Sequence, residues 1–173
     1  RALELARHTS SPEILGELVE TLRDFSDGQR LSEGWRDGKT LANPEEYVHH
    51  ADSHTGALLS FCCRSGAHLA GGDLTTLTAL GRYGRHVGRV WNIADDIVHL
   101  SSEAAEEYLI QRATSGRPVL PASIAGERDS SVHQLWGRMV RIPSYSNASR
   151  VLATIHQQEG VRLGAELLVQ ESW

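Results

Sequence analysis

Val90-Trp91-Asn92-Ile93-Ala94-Asp95-Asp96-Ile97-Val98-His99 sets two neighbouring carboxylates inside an apolar run. Unpaired charges in such a setting are costly, so Asp95 and Asp96 need partners. Hydrated Mg²⁺ is one, because it takes oxygen ligands and bridges carboxylates to substrate phosphates. An arginine is the other: Arg85, Arg89 or another of the chain's arginines. Asn92 and His99 stand at i−3 and i+4 from Asp95, which on a helix puts them on its face.

Working outward, the apolar spacing is helical almost throughout. Leu74 to about Leu100 reads as one long helix, capped by Asp73 after the Gly71-Gly72 stop. Leu77, Leu80, Tyr83, Gly84, Val87, Trp91, Ala94, Ile97 and Val98 give its expected interior stripe. Gly81, Gly84 and Gly88 inside it point to close helix–helix approach, since each costs about 1 kcal/mol against Ala. Upstream, Ser11-Pro12-Glu13 opens a helix whose apolar face is Ile14, Leu15, Leu18, Val19, Leu22 and Phe25. A glycine-rich turn, Gly34 to Lys39, ends or follows it. Asn43-Pro44-Glu45-Glu46 opens another, predicted to run through His54 and Thr55 to about Leu69. Downstream, Ser102 caps a short helix to about Ala113. Thr114 to Pro121 reads as a loop, and helices near Val132 to Val140 and Ser149 to Val169 finish the chain. No period-2 run is visible, and the expected class is an all-α antiparallel bundle.

Composition narrows the function. The 173 residues carry a formal charge of −5 with 23% charged and 40% hydrophobic residues, which suits one folded domain and argues against disorder. No run of about 18 apolar residues marks a membrane span. An acidic balance without clustered Lys and Arg speaks against nucleic acid as a partner. Cys62 and Cys63 are the only cysteines and are adjacent, so neither a disulfide framework nor a four-thiolate zinc site is available; a reducing, cytoplasmic setting is expected. Lys39 is the only lysine among 17 Lys and Arg residues, so roles usually given to lysine fall to other side chains. The chain opens on Arg1, not Met, and no signal peptide is visible, which fits a fragment, a processed product or a trimmed chain.

A second polar cluster is His49, His50, Asp52, His54 and Thr55. His50 and His54 have the i, i+4 spacing of transition-metal ligands. His54 and Thr55 equally suit donation to an anion, and histidines on a helix are most often surface or satisfied side chains. No H-E-x-x-H occurs, which weakens a zinc hydrolase reading. Arg117, in Gly116-Arg117-Pro118-Val119-Leu120-Pro121, is placed either to close on a phosphate or to sit in solvent.

Taken in order, these segments resemble the C-terminal half of the trans-isoprenyl diphosphate synthases, the polyprenyl synthetase family. Arg1-Ala2-Leu3-Glu4-Leu5-Ala6 is similar to the helix after the family's first aspartate-rich region. Gly28-Gln29 begins a G-Q-x-x-D pattern in which Ser32 stands for the acid. Tyr47 and His54-Thr55-Gly56-Ala57-Leu58 match a tyrosine and a K-T-A-x-L pattern, with His54 for lysine. Tyr83-Gly84-Arg85-His86-Val87-Gly88 matches Y-G-x-x-L/I-G. The second aspartate-rich motif, F-Q-x-x-D-D-x-x-D, reads Trp91-Asn92-Ile93-Ala94-Asp95-Asp96-Ile97-Val98-His99. Gly116-Arg117-Pro118-Val119-Leu120-Pro121 resembles G-K-x-T-L-P.

The resemblance implies the C-terminal part of a single isoprenoid-synthase helical domain, residues 1–173, lacking the N-terminal helices. It implies Mg²⁺ as cofactor and two substrates, an allylic prenyl diphosphate and isopentenyl diphosphate. By match, Asp95, Asp96 and Asn92 are catalytic, Asp95, Asp96 and His99 are at the metal, and His54, Thr55 and Arg117 contact diphosphate. Family members are usually dimers, so a second copy or a synthase subunit is the implied protein partner. No other D-D-x-x-D occurs here, which leaves open a longer synthase, a noncatalytic or regulatory subunit, and an enzyme of other diphosphate chemistry. A cyclase is disfavoured by the lack of N-x-x-x-S/T-x-x-x-E after Asp96. A competing class is a helical metal-binding bundle using His50, His54, Asp95 and His99.

Overall fold

The computed structural model describes residues 11–171, so the match at Arg1 to Ala6 lies outside the described residues. Among the described residues all regular structure is helical: α1 (Pro12–Trp35), α2 (Pro44–Ala51), a π-helical turn (Asp52–Gly56), α3 (Ala57–Leu69), α4 (Leu74–Leu100), α5 (Ala105–Thr114), α6 (Leu120–Arg128), α7 (Ser131–Arg141), α8 (Tyr145–Gln157) and α9 (Gly160–Glu171). The all-α class is as expected. None of these helices is long and apolar enough to cross a membrane.

Local chemistry sets the starts. Ser11 Oγ accepts from the Ile14 N–H at 3.3 Å. Asn43 and Glu46 form a reciprocal box: the Glu46 N–H donates to Asn43 Oδ1 at 2.8 Å and the Asn43 N–H to Glu46 Oε2 at 2.9 Å. Asp73 Oδ1 accepts from the Thr76 N–H at 2.8 Å and opens α4. Helix α1 runs past Gly34, and the turn after it uses Gly38 at φ +68°, with the exposed Lys39 paired to Asp37 at 2.7 Å.

The described residues form two compact units: one up to Gly28 with Ala51–Arg89, the other Gln29–His50 with Val90 onward. In the first, Ile14, Leu18 and Thr21 are the buried face of α1, while Val19 and Leu22 of the expected face are exposed. The glycines of α4 pack as their spacing suggests. A Cβ on Gly84 would meet the Leu59 carbonyl at 2.5 Å, and one on Gly88 the Gly56 nitrogen at 2.5 Å.

That packing corrects part of the expected stripe of α4. Tyr83, Trp91 and Val98 are 62, 67 and 65% exposed and Leu80 is also exposed, whereas Leu77, Gly81, Gly84, Gly88, Ile93, Asp96 and Leu100 are buried. The helix turns Gly84 and Gly88 inward because only glycine permits that backbone contact, and Tyr83, Trp91 and Val98 fall on another face.

The second unit holds a continuous core of Leu41, Leu100, Leu109, Val119, Val132, Trp136, Met139, Val151 and Ile155, with alanines of α5, α6 and α8 between them. Helix α6 lies where a loop is expected to end. It starts at Leu120 with Pro121 in its first turn, and Leu120 to Gly126 are all buried. Being apolar or small on every side, it gives no amphipathic signal. The single helix expected over 149–169 is broken at Glu159, φ 58°. There Gly160 approaches the Pro121 carbonyl so closely that a Cβ would sit 2.3 Å from it. Helix α5 begins at Ala105; Ser102 lies before it, and its Oγ accepts from the Ala104 N–H at 3.2 Å.

Candidate functional site

In the second unit, Asp95, His99, Tyr108, Gln111, Arg112 and Arg117 line a cleft of about 720 Å³. Helix α4 carries the acids, α5 carries Tyr108 and Arg112 one turn apart, and the segment before α6 carries Arg117. Arg112 is the ion-pair partner. Its Nη2 donates to Asp95 Oδ2 at 2.6 Å and lies 3.6 Å from Asp96 Oδ1. Arg85 and Arg89, the arginines nearest in sequence, pair instead with Asp24 and Asp52.

The two adjacent acids do different things. Asp96 is sealed at 1% exposure. Its Oδ1 accepts from the Tyr108 hydroxyl at 2.5 Å and its Oδ2 from the Leu120 N–H at 2.8 Å. Burial holds its carboxyl above the ordinary value, against the opposing pull of Arg112, Tyr108 and the Leu120 N–H. Burial, and then the nearby Asp96 charge, raise the phenols of Tyr108 and Tyr47. For Arg112 burial opposes the charge, but Asp96, Tyr108 and Asp95 outweigh it. Asp95 is half-buried and borders the cleft; the Tyr108 hydroxyl is 3.1 Å from its Oδ2 and His99 Nδ1 is 3.3 Å from its Oδ1. The His99 ring stacks on Tyr108 with centroids 4.5 Å apart, and the Arg112 guanidinium lies 4.8 Å from the centre of the Tyr108 ring.

These positions bear on Mg²⁺. Asp95 fits the ion as an accessible oxygen donor. The metal role expected of Asp96 meets an obstacle, because both its oxygens are taken and no solvent reaches it. Among the described residues no group of three His, Cys, Asp or Glu side chains converges as a metal site. A cation that keeps several waters and takes one or two carboxylates plus phosphate oxygens needs no such group. The His/Asp bundle does need one. His50 is instead buried, 2.8 Å from Ser32 Oγ and packed on the edge of Trp35. Asn92 is half-buried on α4 and is not part of the cleft wall.

His54 and Thr55 belong to the first unit, in the π-helical turn, a form that recurs at functional positions. The His54 ring packs on Phe25 at 4.4 Å, and Gly28 leaves it room: a Cβ there would stand 2.5 Å from His54 Nδ1. Asp52 at the head of the turn takes a two-pronged bond from Arg89, Nε at 3.0 Å and Nη2 at 2.8 Å.

Thus Asp95 and His99, which the sequence reading groups at the metal, share a cleft with Arg117, which it groups with His54 and Thr55 on the diphosphate; Asp96 lies behind Tyr108. Tyr108 and Arg112 were not foreseen. Their i, i+4 spacing on the helix after the acids is a weak signal, legible only once a cationic partner is sought on that helix.

A sequence profile described as polyprenyl synthetase matches residues 1–133. The chain belongs to the polyprenyl synthetase family. Within it, a prenyl transferase of Cyanophora paradoxa is 31% identical over 164 residues, 94% of this chain and 50% of that protein. A geranylfarnesyl diphosphate synthase of Natronomonas pharaonis is 30% identical over 111 residues, 61% of this chain and 32% of that protein. The chain thus spans about half the length, or less, of these relatives. A polyprenyl synthase structure from Roseobacter denitrificans superposes with a TM-score of 0.83 at 19% identity, covering 99% of this chain and 57% of that one. That likeness fixes the isoprenoid-synthase helical fold.

Proposed function

We propose that this chain forms the second aspartate-rich wall of a Mg²⁺-dependent prenyltransferase that condenses an allylic prenyl diphosphate with isopentenyl diphosphate. The observation that carries the reading is the α4 face on which Asp95 stands. Trp91 and Val98, at i−4 and i+3 from Asp95, are both exposed and share its face, while Arg112 and Arg117 border the same cleft. An apolar surface flanking a carboxylate beside two guanidiniums suits a substrate with a hydrocarbon tail and a diphosphate head.

Asp95 would hold the metal, which when bound neutralises charge growing on the leaving diphosphate. Arg117 and Arg112 would contact diphosphate oxygens, for which the planar guanidinium is suited. Asp96 and Tyr108 would act by position: they hold Arg112 and so orient Asp95. Trp91 and Val98 would exclude water that quenches an allylic cation. Asn92 would supply a polar group near the reacting carbons.

The test is Mg²⁺-dependent incorporation of labelled isopentenyl diphosphate by the protein isolated from its native cell, with its intact mass measured alongside. Asp95→Ala is expected to lower turnover by about 10²–10³-fold, the usual cost of losing an electrostatic group at a transition state. A mass well above the 19.0 kDa of this chain would mean that one polypeptide carries both walls; a matching mass would direct the search to a partner. A second reading, a noncatalytic subunit, draws on the Arg112–Asp95 pair and on His99 at the third acid position. It predicts that Asp95→Ala leaves the turnover of the assembly unchanged.

A further inference from the structure

The first unit carries a basic cleft that the acid site does not involve. Ser60 and Arg64 of α3 face Thr78, Arg82, Arg85 and Arg89 of α4 around about 230 Å³, with Gly81 and His86 completing the lining and no carboxylate in it. This concentration of guanidiniums stands out in a chain of net charge −5.

The arginines are held in place. Arg64 donates through Nε and Nη2 to Glu17 Oε1 at 3.1 and 2.7 Å, Arg85 through Nη2 to Asp24 at 3.3 Å, and Arg89 as a fork to Asp52. Arg64 and Arg85 keep further N–H donors, since a guanidinium has five. Glu17 and Asp24 border a separate cleft, which Arg64 and Arg85 also line. Arg82 is exposed and, among the described residues, has no carboxylate partner. Arg82 therefore adds positive charge at a cleft whose own lining holds no carboxylate. Gly81 shapes it, because a Cβ there would meet Arg64 Cδ at 2.8 Å and push that side chain away. Ser60 adds a hydroxyl.

We propose that this cleft binds a small phosphate-bearing anion, with Arg82 and Arg85 as its principal contacts. Planar, forked donors match phosphate oxygens two at a time, which a lysine cluster would not do. The inference is independent of the metal site and of prenyl chemistry.

The experiment is calorimetric titration of the full chain with inorganic diphosphate and, separately, orthophosphate, without divalent metal, at two salt concentrations. Saturable diphosphate binding that weakens with salt is expected. Arg82→Gln should weaken it about tenfold, and Arg82→Gln with Arg85→Gln should abolish it, while Arg138→Gln, at an exposed position that lines neither cleft, leaves it intact. Arg82 is exposed, so its substitution should preserve the fold; an unchanged thermal midpoint checks this. Comparable affinity for orthophosphate would identify a single-phosphate site, and preference for diphosphate a site spanning two. No binding by the unsubstituted chain, or binding lost in Arg138→Gln and retained in Arg82→Gln, would overturn the proposal.

Discussion

Asp96 is a buried carboxyl whose folded pKa lies above its ordinary value because burial penalises its charge. Over the window that begins at the ordinary value and ends at the raised one, the folded state holds more protons than the unfolded state. Its contribution to stability is therefore present at low pH and lost as pH rises through that window. Asp96→Asn removes this titration. Urea midpoints measured from pH 4 to 7 should show the stability of the unsubstituted chain falling relative to Asp96→Asn as pH rises; a constant difference would refute the assignment. Arg112 is the reciprocal case. Replacing it with Met leaves two acids beside one another with their cation gone, and should cost about 3–5 kcal/mol in chemical denaturation. Asp95 and Asp96 were legible as a site because two acids in an apolar run demand a partner. Which arginine answers was not, since sequence distance favoured Arg85 and Arg89, and pairing follows the tertiary approach of α5.

Among the helices, α4 was foreseen from Leu74 to Leu100 and its glycine contacts with it. Of its expected interior stripe Leu77 and Gly84 are buried, while Leu80, Tyr83, Trp91 and Val98 came out exposed. Glycine is the better guide there: where backbones touch, the smallest residue marks the inside. Gly88→Ala should accordingly cost about 1–3 kcal/mol, because the new methyl meets the Gly56 backbone and not a side chain that can turn away. A matched Gly66→Ala, with nothing within 4 Å of the new carbon, should be stabilising by about 0.5–1 kcal/mol. Thermal midpoints of the pair separate the contact from helix propensity. Helix α6 escaped a reading by periodicity because it is buried on every side, and the break at Glu159 because a tertiary contact decides it. Gly160 abuts the Pro121 carbonyl, a contact between segments far apart in the chain, and a residue-by-residue pattern does not encode it.

For the molecule as a whole, stability within the second unit rests on the core shared by α4 to α8. Met139 is fully buried in it. Met139→Ala should cost about 2–5 kcal/mol, read from Trp136 fluorescence during urea unfolding. The chain's one lysine has a practical side. Lys39 sits exposed in the turn after α1, with Trp35 and Leu41 buried on either side of it. A lysine-specific protease therefore has one scissile bond in this sequence, and cutting it requires Trp35 or Leu41 to leave its seat. The rate of that single nick becomes a clock for opening of the second unit, read from two fragments on a gel.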